Sequence, residues 1–147
     1  MGASAQAKKQ PERTHVRVLE SASKAGWCDC GPGIQVKVLA IDPIKHSVEY
    51  LARTPPGHST GLHRHHAEAY IFVVEGSVTN VTTGCEYQAG DLYYQPVGDG
   101  HEEVTGPNGA MAYVSQRGDR DLMAEFLNDK GEVIDNYNLS DFAKMLV

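Results

Sequence analysis

Four of the seven histidines in this chain fall within nine residues, immediately before an apolar stretch. Two of them, His63 and His65, are two positions apart. In a β-strand, residues i and i+2 project from the same face, so two imidazoles at this spacing can bind one cation. Residues 57–76 therefore predict a β-strand that carries a metal site.

A second segment, residues 90–101, delivers another histidine. Its aromatic-rich beginning predicts a strand, and Pro96 and Gly98 predict a turn before His101. Three neutral imidazoles suit Fe(II), Mn(II), Ni(II), Cu(II) or Zn(II), and they leave coordination positions open for a substrate. We therefore predict that His63, His65 and His101 bind one divalent metal ion.

Together the two segments resemble the bipartite motif of the cupin superfamily, over roughly the central half of the chain. The matching positions are Gly57, His63, His65 and Gly76 in the first half and Gly90, Pro96, Gly98 and His101 in the second. The resemblance implies an all-β fold, the cupin double-stranded β-helix or jelly-roll barrel, with a short C-terminal helix. It also implies a mononuclear metal centre on the three histidines.

The acidic ligand of the cupin motif is displaced in this chain. The motif places a glutamate where this sequence has Ala69, and Glu68 lies one position earlier. A shift of one residue turns a strand side chain to the other face, so Glu68 points inward only if the preceding turn is tight. We expect Glu68 to serve as a fourth ligand or a proton acceptor; the alternative is a solvated side chain at the start of a strand.

The segment after the second motif narrows the expected activity. Residues 126–134, FLNDKGEVI, resemble the tail of small three-histidine cupins that cleave acetylacetone or dihydroxyacetophenone. The resemblance implies Fe(II) on His63, His65 and His101, and a non-haem iron dioxygenase that cleaves a small diketone, carbonyl or phenolic compound.

Two other functions remain open. The same two motif segments are similar to those of ectoine synthase, a cupin lyase whose iron ligands map onto Glu68, Tyr93 and His101. This similarity implies a lyase, cyclase or isomerase, and it adds Tyr93 to Glu68 as a candidate catalytic residue. The third function is a non-catalytic cupin that binds a metal or a small molecule.

Short apolar runs separated by Gly, Pro and Asn predict an all-β domain. The predicted strands are residues 16–19, 34–41, 47–53, 61–66, 70–75, 77–82, 91–95, 102–105, 110–116 and 122–126. A turn is expected at residues 106–109, and residues 128–131 should reverse a hairpin between Phe126 and Glu132. Ser140 is expected to cap a short helix that ends at Leu146.

Composition restricts the organisation and the partners. With 147 residues and 41% apolar content, the chain predicts a disordered leader at residues 1–14 and a single cupin domain at residues 15–147. The net charge of −6 without a basic stripe argues against nucleic acid or an anionic membrane as partner, and no apolar stretch reaches the length of a spanning helix. We expect a cytoplasmic homodimer that acts on a small-molecule substrate.

Overall fold

The computed structural model describes residues 26–98 and 100–146. The leader predicted at residues 1–14 and the strand predicted at residues 16–19 lie outside the described residues. The elements are β1 (Cys28–Gly31), β2 (Ile34–Asp42), β3 (Ser47–Thr54), β4 (His63–His65), β5 (Ala67–Asn80), β6 (Cys85–Gln88), β7 (Leu92–Gln95), β8 (Gly100–His101), β9 (Glu103–Gly118), β10 (Leu122–Leu127), β11 (Val133–Asn138) and α1 (Leu139–Lys144). No helix in the described part of the chain is both long and apolar enough to cross a membrane.

The strands form two sheets whose pairs are antiparallel. The larger sheet has seven strands in the order β1–β2–β3–β9–β5–β6, with β7 also paired to β5. The smaller sheet has four strands in the order β11–β10–β4–β8. This architecture confirms the predicted all-β fold with a short C-terminal helix.

Side-chain alternation along β5 explains how this strand contributes to the core. Ala67, Ala69, Ile71 and Val73 are buried, whereas the residues between them face outward. These buried side chains join those of β2, β3 and β9 in one apolar cluster. The inner face of the larger sheet is therefore apolar, and several of its side chains are only as large as alanine.

β5 and β9 are longer than the sequence pattern predicts. β5 is one strand where two were predicted, and β9 continues through the turn expected at residues 106–109. Two register shifts in the β5–β9 pair let the strands bend while they remain paired. At Gly76 the backbone φ is +75°, and a Cβ there would collide with the carbonyl oxygen of Gly109. Glycine is therefore required where these two strands approach each other.

The C-terminal segment closes against the larger sheet. As predicted, a hairpin turn joins β10 to β11, with the backbone N–H of Asn128 donating to the carbonyl of Glu132. The predicted cap is wrong, because Asn138 precedes α1 and its backbone N–H donates to Asp141 at 2.7 Å. Ser140 lies inside the helix and bonds to Asp121 instead.

Candidate metal centre

The structure brings together the three histidines that the spacing indicates. His63 and His65 lie on β4, and His101 lies on β8 as the direct cross-strand partner of His63. One ring nitrogen from each histidine lies within 4.8 Å of the others, and all three side chains are buried. Neighbouring strands of the smaller sheet therefore form a group that could hold a metal ion.

The hydrogen bonding of the rings leaves nitrogen atoms available to a cation. Nδ1 of His63 donates to the carbonyl oxygen of Gly61 at 2.9 Å, which leaves Nε2 of the neutral ring with a free lone pair. Among the described residues, neither nitrogen of His65 makes a hydrogen bond, and Nε2 of His101, although 3.2 Å from Oε1 of Glu103, does not have the geometry of one. A buried polar atom without a partner costs about 1–3 kcal/mol, so this donor set fits a bound metal better than it fits an empty pocket.

The protonation states also suit a metal. Burial, reinforced by the neighbouring His63 and His101, lowers the pKa of His65 to about 3, although the side chain of Gln95 opposes this shift. Burial also lowers the pKa of His63, against the opposing effect of its bond to Gly61. These rings are therefore neutral near pH 7, which is the form that binds a metal.

Glu103 is the carboxylate that lies beside the histidines, and the sequence analysis missed it. Its Oε1 is 3.2 Å from Nε2 of His101, and its side chain is only 12% exposed. The Gln95 amide donates to Oε1, and the Tyr93 hydroxyl donates to Oε2 at 3.0 Å. His101 and Glu103 are two positions apart, so the same i, i+2 spacing that linked His63 and His65 could have indicated this residue.

Tyr93, one of the two predicted catalytic residues, belongs to this polar group through Glu103. Its ring is buried and stacks on Tyr87 at a centroid distance of 4.0 Å. Burial and the adjacent Glu103 carboxylate raise the pKa of Tyr93 well above its usual value. The hydroxyl therefore stays protonated and acts as a hydrogen-bond donor.

Glu68, the other predicted catalytic residue and the expected fourth ligand, lies outside the histidine group. Its neighbours Ala67 and Ala69 are buried, whereas its Oε2 accepts a surface hydrogen bond from the Tyr94 hydroxyl at 3.0 Å. β4 passes into β5 through the single residue His66 and the alternation of faces continues, so even-numbered positions point outward. This placement corrects the expectation that Glu68 turns toward the metal.

The outer face of β4 is fixed to β10 by a charged cluster. Nε and Nη2 of Arg64 donate to Oε2 of Glu125 at 3.0 and 2.6 Å, and Nε2 of His66 lies 2.9 Å from Oε1. The bond from Arg64 lowers the pKa of Glu125. Because His63 and His65 project from the other face of the same strand, we expect this cluster to help position them.

His63 and His65 face a cavity of about 190 Å³ between the two sheets. His63, His65 and Glu103 line it together with Tyr93 and Gln95, and the rest of its wall is mostly apolar and aromatic. A small apolar cavity with a few convergent polar groups is typical of a ligand site.

A family model for the ChrR cupin-like domain matches residues 15–119, which is more than half of the chain. The protein belongs to this cupin family. None of the curated proteins is significantly similar to this cupin in sequence.

Solved structures share the fold of this cupin at low sequence identity. An RmlC-like cupin protein from Ralstonia eutropha JMP134 has a TM-score of 0.75 and 20% identity, covering 84% of this chain and 81% of that one. An acetylacetone dioxygenase from Acinetobacter johnsonii has a TM-score of 0.67 and 19% identity, with 79% and 78% covered. A chain in the complex of Rhodobacter sphaeroides SigE with the anti-sigma ChrR has a TM-score of 0.55 and 17% identity, with 78% and 61% covered. At these identities the similarity shows a common fold and leaves the activity to be argued from the site.

Proposed function

We propose that this cupin is a mononuclear non-haem iron dioxygenase that cleaves a carbon–carbon bond in a small diketone, carbonyl or phenolic compound. The observation that carries the proposal is the group of three buried histidines, whose ring nitrogens are left without hydrogen bonds, beside a small and mostly apolar cavity. The similarity in fold to an acetylacetone dioxygenase supports the choice of iron and of this substrate class.

His63, His65 and His101 would hold the iron, with Glu103 beside them. When bound, iron would supply open coordination positions and the redox chemistry with dioxygen. In a dioxygenase reaction, both oxygen atoms enter the products. The three-histidine set occupies too few positions to fill the coordination of the metal, so room remains for a substrate.

The protein side chains would orient the substrate and move its proton. Glu103 is the acceptor in the cavity for the proton of an enol or a phenol, through Oε1 or Oε2. Tyr93 and Gln95 donate to these oxygens and thus hold the carboxylate in a fixed direction. The apolar walls exclude water, which strengthens the interaction between the carboxylate and a substrate hydroxyl.

Metal analysis and oxygen uptake test the proposal together. The protein is purified without oxygen and analysed for iron, manganese, nickel, copper and zinc, beside the His101→Ala variant. We expect about one iron per wild-type chain, its loss in the variant, and oxygen consumption that depends on a diketone or a phenol. An iron-loaded protein that consumes no oxygen with any compound in such a panel would contradict the dioxygenase activity.

Two glutamate variants test the role of Glu103. Glu103→Gln removes the charge inside the cavity, whereas Glu68→Gln makes the same chemical change on the outer surface. Loss of a proton acceptor should lower kcat by about 100-fold or more in Glu103→Gln, and Glu68→Gln should stay within about twofold of wild type. Equal activity in the two variants, at equal iron content, would refute the role of Glu103.

A second function, metal binding without catalysis, is favoured by the match to the ChrR cupin-like domain. The similarity in fold to a chain of the complex between SigE and the anti-sigma ChrR supports it as well. For this function, the same histidines would hold a redox-inert metal such as zinc. One zinc per chain in protein purified from cells, with no oxygen uptake after iron loading, would favour this second function over the first.

A further inference from the structure

We infer that the substrate of this site is a small uncharged molecule with a hydrogen-bonding group at each end, and that Gln116, Tyr50 and Tyr137 bind the end remote from the histidines. The inference rests on the proposed function, because it assigns the substrate class of the same cavity. These three residues, which we call the distal polar group, line the cavity on the side of β3, β9 and β11.

The distal polar group is built from three strands; Gln116 and Tyr50 are buried, and Tyr137 is half-buried. Gln116 is only 1% exposed, and its Nε2 donates to the hydroxyls of Tyr50 and Tyr137 at 3.0 Å each. Burial raises the pKa of Tyr50, and it raises the pKa of Tyr137 to about 12, so both hydroxyls are neutral. Burying an amide and two hydroxyls in an apolar wall costs free energy unless they form hydrogen bonds. Their oxygens also keep lone pairs that can accept a hydrogen bond from an O–H or N–H of a ligand.

The strand register places the two polar ends of the cavity on opposite sides of β5. Gln95, which contacts Glu103, and Gln116 are both paired with Ala69, one on each side of β5. Neighbouring strands lie about 4.8 Å apart, so the two amides project from backbones about 10 Å apart. Ala69, the residue of β5 between them, carries only a methyl group. We therefore choose probes about as long as a para-disubstituted benzene ring to reach both ends.

The charges around the cavity select against anions. A second cavity of about 510 Å³ adjoins the inner one and shares Tyr50, Phe126 and Tyr137 with it. The acidic residues in the two walls are Glu103, Asp135 and Asp141, and among the described residues no lysine or arginine lines either cavity. A carboxylate or phosphate at the distal end would be buried without a cationic partner, which is strongly unfavourable.

Binding measurements distinguish a ligand-binding role of the distal polar group from a purely structural role. The probes are uncharged para-disubstituted benzenes with a hydrogen-bonding group at each end, such as 4-hydroxybenzamide. Each is compared with its carboxylate counterpart, here 4-hydroxybenzoate, and with the one-ended analogue that lacks the distal group, here phenol. Binding to the full-length zinc-loaded protein is measured by calorimetry, because zinc prevents turnover.

We expect the uncharged two-ended probes to bind at least about tenfold more tightly than the carboxylates. Tyr137→Phe and Gln116→Leu should each weaken these probes about fivefold or more and leave the one-ended analogues unchanged. Ala112→Leu, which fills the cavity without removing a polar group, should abolish binding of the two-ended probes. Tyr113→Phe, a change on the outward face of the same strand, should have no effect.

Tighter binding of the carboxylates, absence of binding by every uncharged probe, or equal affinity in wild type and Tyr137→Phe would overturn the inference. Zinc content is measured on every sample. A wild-type protein that cannot hold a metal speaks against the proposed function, whereas full zinc occupancy without the expected selectivity overturns only the substrate class.

Discussion

Acid should destabilise the metal-free protein through His65. Burial and the two neighbouring imidazoles hold the pKa of His65 at about 3 in the folded protein, whereas a histidine in an unfolded chain has a pKa of about 6.5. Between these values the unfolded chain binds a proton that the folded protein does not, so the unfolding free energy falls as the pH is lowered. From pH 7 to pH 5 this single histidine removes about 2 kcal/mol, and His63, whose pKa is also lowered by burial, acts in the same direction.

The measurement is urea unfolding of chelator-treated protein at pH 7, 6 and 5, followed by circular dichroism. His65→Gln removes the titrating group and should reduce the loss of stability over this range by about 2 kcal/mol. His46→Asn removes a histidine from a turn outside the metal group, where the backbone φ is +51° and asparagine is tolerated. This control should keep the wild-type pH dependence. Equal acid sensitivity in wild type and His65→Gln would refute the reasoning.

Two further predictions concern the scaffold of the site. Gly76→Ala should lower the unfolding free energy by more than about 2 kcal/mol, because it combines an unfavourable φ with a collision against Gly109. Gly84→Ala has a similar φ but no atom within 4 Å of the added Cβ, so thermal melts should show a smaller loss, and equal losses would contradict the collision. Glu125→Gln weakens the cluster on the outer face of β4 and should cost about 1 kcal/mol of stability. It should also reduce zinc affinity in competition with a chromophoric chelator, and unchanged affinity would argue against a positioning role.

The histidine pair of β4 and Glu68 show where reasoning from the sequence succeeds and where it fails. Alternation along a strand was sufficient to pair His63 with His65, because both lie within one short element. The direction of Glu68 could not be derived, because the outward positions of β5 that follow it, Tyr70 and Phe72, are as apolar as the inward ones. Both faces of the strand therefore look alike in the sequence, and only the folded strand shows which face is enclosed.

The sequence by itself determined the all-β architecture, the metal-binding residue types and the spacing of the three histidines, because turn chemistry and strand periodicity are local properties. The spacing from His101 makes Glu103 a candidate, but only the tertiary structure decided between Glu103 and Glu68 as the carboxylate beside the histidines. Glu103 and Gln116 acquire their places through pairing between strands that are far apart in the chain. Asn138 is the helix cap, and Ser140, inside the helix, bonds to Asp121 from a distant segment. Such long-range pairing depends on how two sheets enclose a core, and a linear pattern of side chains does not contain that information.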